Sequence, residues 1–240
     1  MSPVLYELSN AQGHCTSPFV WRIKLALQKK RLAYRSIPVG FLEIPNIGSA
    51  TTRGTFKTAP IIEHQGHYLN ESWVIAEWLD ATFPDAPRLF SSSAELAMVK
   101  FFDKWFGTTI MPPLFRSCVY EIFSHVRPEE QSYFRITREL TFGQTLEAVA
   151  SDWESYICRA REALLPMRLA LRRAPYLGGE HPNYADHIAW GTFVGFGMIA
   201  KHALLSHDDS LVEWIERGIE IAATCEAVDR AQLTIFTDTA

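Results

Sequence analysis

The sequence predicts a chain in two parts, an α/β domain over residues 1–83 followed by an all-helical domain over residues 91–240. Three observations carry that prediction. Short apolar runs of strand length alternate with helix-like text at the start of the chain, which is the pattern of an α/β arrangement. Phe83-Pro84-Asp85-Ala86-Pro87-Arg88 then forms a Pro-rich crossing. Beyond it the strand signals nearly vanish, and the text is helical to the end.

Val4-Leu5-Tyr6-Glu7-Leu8 reads as the first strand, and a polar loop from Ser9 to Ser17 follows it. Pro18 opens a segment reaching about Lys30 that has no further Pro or Gly. It predicts a helix, since a proline in the first turn forfeits no hydrogen bond. Ala33-Tyr34-Arg35-Ser36-Ile37 is a second short strand, and Phe41 to Lys57 is weakly patterned, with room for one short irregular helix. Ala59 to His64 and His67-Tyr68-Leu69 read as two strands joined at Gln65-Gly66, where the glycine supplies the positive φ of a tight turn. Pro60 stands at the start of its strand, where a missing N–H is tolerated. Asn70 is a good N-cap for a helix through Val74, Ile75, Trp78 and Leu79 to Asp80.

The second part predicts helices over Ser93 to Thr109, Leu114 to Ser124, Glu129 to Leu140, Thr145 to Arg173, Tyr184 to Leu204 and Leu211 to Ala223. Asn183 and Asp186 resemble the two ends of a capping box, with Asp in place of the usual Glu or Gln. They mark the start of a buried helix rich in Trp190, Phe193, Val194 and Phe196.

Hydrophobic residues make up 48 % of the 240 and charged residues 21 %, which excludes a disordered chain. Lys plus Arg number 23 against 27 Asp plus Glu, a formal charge of −4, so nothing in the overall balance calls for nucleic acid or an anionic membrane. Cys15, Cys118, Cys158 and Cys225 show neither a CxxC pair nor zinc-site spacing and read as reduced thiols. No secretory signal is visible, and the longest apolar run, Ile188 to Ala200, is shorter than the roughly 18–20 residues of a membrane span. The expectation is a cytoplasmic protein without a metal.

The order βαβ–ββα, with a proline opening the last hairpin and an active residue at the head of the first helix, is the thioredoxin layout. Ser17-Pro18-Phe19-Val20 lies where a glutaredoxin-like protein carries Cys-Pro-Tyr-Cys, so both thiols of disulfide exchange are missing. A serine there, the Ala59-Pro60 dipeptide, Glu71-Ser72 at the head of a helix and the trailing helical domain together resemble the cytosolic glutathione transferases. More narrowly, Thr16 to Arg22, Glu71 to Asp80, Lys100 to Trp105 and Leu177 to Asp186 are similar to the bacterial lignin β-etherase branch and its etherase-like relatives. The resemblance covers nearly the whole chain.

That resemblance implies glutathione as co-substrate, and the residues suit it. The head of the Pro18 helix offers free N–H groups and the positive end of a dipole for a thiolate, and Ser17 adds a hydroxyl as the expected catalytic residue. Glu71 and Ser72 suit the ammonium and α-carboxylate of the γ-glutamyl end. The family implies that Ala59 pairs with the peptide through its backbone and that Pro60 is cis, and Lys57 and Arg53 are candidates for the glycyl carboxylate. Read alone, Ser17 is a plain helix cap and Glu71 a first-turn acid. Cys15 is either a surrogate thiol or an incidental loop cysteine. His64 and His67 read as a solvated hairpin rather than metal ligands.

An aromatic-rich set holding Trp21, Phe102, Trp105, Phe106, Met111 and Phe115 is expected to supply the hydrophobic substrate side. Pro112-Pro113 interrupts the helix in its midst and can hold the set around an open cleft. The function this implies is attack of the glutathione thiol on an aromatic or hydrophobic electrophile, extending to cleavage of β-aryl ethers. A carrier of aromatic compounds with little turnover is the alternative. By the same resemblance the protein is expected to be a homodimer.

Overall fold

The computed structural model describes residues 2–48, 56–226, 228 and 230–237. Strand β1 (Val4–Leu8) lies inside a four-stranded sheet of order β2-β1-β3-β4, completed by β2 (Arg35–Val39), β3 (Ile61–His64) and β4 (His67–Asn70). It runs parallel to β2 and antiparallel to β3, which in turn pairs antiparallel with β4. β2 starts at Arg35 rather than Ala33 and takes in Pro38, opposite Glu7. An edge strand tolerates that proline, because the lost N–H can face away from the ladder.

Alternation along β1 gives each face of the sheet its own packing. Leu5 and its register partner Ile62 join the main core with helices α1 (Pro18–Lys29) and α2 (Ser72–Thr82). Tyr6 and Ile61 turn to the other face and pack with Val39 and Ile44. In the hairpin both turn residues, Gln65 and Gly66, have positive φ of 53° and 81°, the geometry that matches the twist of two paired strands. His64 is not solvated as its place beside the turn suggests. It is buried edge-on against Trp78 and Phe83, while His67 is exposed.

The second part is built from α3 (Ser93–Thr109), α4 (Met111–Ser117), α5 (Val119–His125), α6 (Gln131–Phe142), α7 (Leu146–Ser151), α8 (Trp153–Ala163), α9 (Leu165–Leu171), α10 (Tyr184–Gly197) and α11 (Val212–Ala223). The expected helix over Leu114 to Ser124 is two, broken at Cys118, and that over Thr145 to Arg173 is three. A two-residue parallel pairing of Leu205–Ser206 with Phe236–Thr237, not foreseen from the sequence, closes the far end.

All of α10 is buried, as suits a helix apolar on every side. Its start is the foreseen capping box, in which the Asn183 side chain accepts from the Ala185 N–H and the Asp186 carboxylate accepts from the Asn183 N–H at 2.9 Å each. One hydrophobic core runs through both parts, from Leu5, Trp21 and Ile75 to Trp190, Phe193 and Trp214. Polar links cross the same junction. Arg22 of α1 bonds Asp103 of α3 at 2.9 Å, the Tyr184 hydroxyl donates to the Ser72 carbonyl at 3.0 Å, and the Leu42 N–H donates to Glu130 at 2.9 Å.

Candidate functional site

The register of the sheet decides which residues meet. β1 ends beside the start of β3, and β3 starts beside the end of β4, where Ile61 faces Asn70. The loop entering α1, the Ala59-Pro60 peptide and the head of α2 therefore lie at the same end of the strands. The Ala59-Pro60 bond is cis. Asn70 is the last residue of β4 and not the cap of α2. Its side-chain amide donates to the carbonyls of Thr58 and Pro60 at 2.6 and 2.9 Å and so fastens the segment carrying that peptide.

Glu71 takes the position before α2 with φ +72°, exposed, with the Thr58 hydroxyl 3.4 Å from its carboxylate. A positive φ costs a residue with a side chain of order 1 kcal/mol or more. Ser72 opens the helix and is buried. Lys57 is exposed on the strand-entering segment, and Arg53 lies outside the described residues.

Ser17 caps α1. Its Oγ accepts from the Val20 N–H at 3.4 Å, a long bond, and its carbonyl accepts from the Trp21 N–H at 3.1 Å. Pro18 has no N–H, so the Phe19 N–H is the first-turn donor without a recorded protein partner among the described residues. A hydroxyl that accepts through oxygen still has its hydrogen to donate. At the head of a helix of twelve residues, Ser17 thus presents a donor and a positive dipole end together. Cys15 cannot share the task. It is fully buried, and burial pushes its thiol up to about 12, so it stays protonated at neutral pH.

A cavity of about 580 Å³ opens against Thr16 and Ser17. Met111, Phe115 and Arg116 of α4, Arg138 and Phe142 of α6, and Thr192 and Phe196 of α10 form other walls. It is mainly apolar, and Thr16, Ser17, Arg116, Arg138, Thr141 and Thr192 are polar residues among those lining it.

The chain matches two family models, described as "Glutathione S-transferase, N-terminal domain" over residues 13–87 and "Glutathione S-transferase, C-terminal domain" over residues 97–216. The second alone spans half of the chain. The chain belongs to the glutathione S-transferase family. Glutathione S-transferase U3 of Arabidopsis thaliana is 30 % identical over 93 residues, 39 % of this chain and 41 % of that relative's length. Glutathione S-transferase U7 of the same plant is 29 % identical over 208 residues, 83 % of this chain and 76 % of the relative. A solved glutathione S-transferase of Ceriporiopsis subvermispora, in complex with glutathione, superposes with a TM-score of 0.78 at 21 % identity, covering 93 % of this chain and 99 % of that one. At that identity the likeness is one of fold, an N-terminal thioredoxin-like domain followed by helices.

Within this glutathione S-transferase fold the six residues expected on the hydrophobic side separate into three groups. Met111 and Phe115 line the cavity that reaches Ser17. Phe102 and Trp105 line a different cavity of about 690 Å³, bounded by α3, α9 and the segment before α10. Trp21 and Phe106 are fully buried and face neither. Trp21 has a structural task near the site: its indole N–H donates to the Cys15 carbonyl at 2.8 Å and anchors the loop before Ser17. Phe106 packs on Phe102 and Phe193. Arg116, Arg138 and Thr192 were not singled out in the sequence, where the aromatic residues around Pro112-Pro113 were the only signal near Arg116.

Proposed function

We propose that this chain is a glutathione transferase in which residues 1–83 bind glutathione and residues 91–240 supply the hydrophobic side. The observation that carries the reading is Ser17, whose hydroxyl has no acceptor among the described residues, stands beside a helix N-terminus and lines the cavity of about 580 Å³. Support comes from the family models and from the fold-mate solved with glutathione.

In this reading Glu71 meets the γ-glutamyl ammonium, and Ser72 with the head of α2 meets the α-carboxylate. Ala59 pairs through its backbone beside cis-Pro60, and Lys57 serves the glycyl carboxylate. Ser17 donates to the sulfur and lowers its pKa, which populates thiolate near neutral pH. The thiolate attacks an electrophilic carbon of an aromatic or hydrophobic substrate, with Met111 and Phe115 on the apolar wall. For a β-aryl ether the new C–S bond replaces the C–O bond, and the aryloxy group leaves with the electron pair and takes up a proton as a phenol.

The described cysteines are free thiols, which suits a reducing cytoplasm. The homodimer is proposed on exposed apolar Val74, Met98 and Phe101 along α2 and α3.

Two measurements test this. Turnover with glutathione and a β-aryl-ether or chlorodinitrobenzene substrate, with the product identified by mass, is expected to give a glutathione thioether. Binding without product overturns the enzyme reading and leaves a carrier. Ser17→Ala removes one charge-assisted hydrogen bond of about 1.5–3 kcal/mol. The pH–rate profile is then expected to move up by about 1–2 and activity near pH 7 to fall about ten-fold or more. Superimposable profiles at unchanged rate remove Ser17 from catalysis.

A further inference from the structure

Arg116 and Arg138 both line the cavity that reaches Ser17, and neither has a carboxylate partner among the described residues. No aspartate or glutamate is among the residues lining that cavity. Arg22, Arg135 and Arg168, by contrast, are each paired, with Asp103, with Glu139 and Glu147, and with Asp209 respectively.

Both are held by aromatic rings instead. The Arg116 guanidinium lies 5.0 Å from the Phe142 ring centre, and that of Arg138 lies 4.7 Å from Phe134 and 5.5 Å from Phe41. Ring stacking fixes the plane of a guanidinium and leaves its N–H edge to bond elsewhere. Among the described residues the Arg138 guanidinium donates one hydrogen bond, to the neighbouring Thr137 hydroxyl at 3.0 Å. Arg138 also shares one helix face with Thr141 and Phe142, both on the cavity wall. Burial draws its pKa below the ordinary arginine value, as happens to a cation partly removed from water without a counter-charge.

We propose that the cavity beside Ser17 takes aromatic molecules that carry an anionic group, a carboxylate or its equivalent, received by Arg138 and Arg116 while the ring lies on the apolar wall. The inference rests on the reading above only in taking this cavity as the seat of the electrophile. The anion itself takes no part in bond making. It orients the ring, because a planar guanidinium and a carboxylate match in a two-point bond.

The test compares binding of 3,5-dinitrobenzoate with that of 3,5-dinitrobenzamide, equal in shape and differing in charge, by titration calorimetry at pH 7.4 with and without saturating S-methylglutathione. The benzoate is expected to bind about ten-fold tighter or more to the wild type. That preference is expected to shrink below about three-fold in Arg138→Gln and Arg116→Gln combined, and to fall only part of the way in Arg138→Lys, which keeps the charge but loses the two-point fork.

Equal affinities in the wild type overturn the proposal whatever the variants do, as does a preference that persists in the double variant. A preference abolished by S-methylglutathione also overturns it, by assigning the guanidinium groups to the carboxylate of the tripeptide. Turnover of neutral 1-chloro-2,4-dinitrobenzene, measured in parallel, reports separately on the transferase reading. Its absence beside an intact benzoate preference rejects that reading and keeps the anion site.

Discussion

His187 is fully buried in α10, with its ring edge-on to Tyr184 and tilted against Trp190, and no described group bonds its Nδ1. Burial, helped by the charge of Lys29, pushes its pKa down to about 3, so it folds neutral. The unfolded chain regains an ordinary histidine near 6.5 and binds the extra proton, so this contribution is complete above about pH 6.5 and is lost as pH falls towards 3. Between pH 6.5 and 5 that one group is expected to cost about 1.5 kcal/mol, and His187→Leu to flatten the stability curve by that amount in urea titrations. Parallel curves for the two proteins would sink the assignment. At this scale the sequence was readable where chemistry is local. Ser17 before Pro18 and Asn183 three residues before Asp186 signal caps by spacing alone, and both are caps here. It was unreadable where the answer depends on what another element places opposite, as with buried Trp21 and Phe106, or with Arg138, whose spacing in α6 says only that it shares a face with Thr141 and Phe142.

At the scale of the element, helices were legible where side chains leave the backbone ladder alone, as in α3, whose bounds match expectation. The break between α4 and α5 was not legible, because the Ser117 hydroxyl and Cys118 thiol both reach the Leu114 carbonyl, a competition decided by rotamers. The start of α10 shows how much one element end can hold. The Asp186 carboxylate accepts from the backbone N–H groups of Leu177, Gly178 and Asn183 at 2.9, 3.1 and 2.9 Å and from the Trp214 indole at 2.8 Å. It therefore ties the segment before α10, the helix and α11 at one buried point. Burial raises its pKa while those bonds oppose the rise. Asp186→Asn keeps the shape and turns an amide NH₂ towards donors, so unfolding free energy is expected to fall by about 3 kcal/mol or more, with Tm lower by roughly 6–12 °C. A loss below about 1 kcal/mol would reduce Asp186 to an ordinary cap.

At the scale of the whole molecule, the helical part sets the position of the proposed thiolate site in the other part, through two glycines one turn apart on α10. A side chain at Gly191 would put its Cβ 2.9 Å from the Pro18 carbonyl oxygen and the Arg22 nitrogen, and one at Gly195 would put it 2.6 Å from the Thr16 carbonyl oxygen. The contact is backbone on helix with no side chain between, so it has no slack that a rotamer change can take up. Gly195→Ala must push back the Thr16-Ser17 loop, the same loop that Trp21 holds from its other end through the Cys15 carbonyl. The expected cost is about 1–3 kcal/mol of stability from overpacking, despite the gain in helix propensity. Displacing Ser17 by about 1 Å is expected to lower kcat/KM with glutathione about 100-fold. Gly107→Ala is the matched control, since it also lies within a helix and nothing stands within 4 Å of its added Cβ. That variant is expected to gain about 0.5–1 kcal/mol and keep its activity. Thermal unfolding and turnover of both variants decide the matter: if Gly195→Ala behaves like Gly107→Ala, the loop yields freely, and the helical part does not position Ser17.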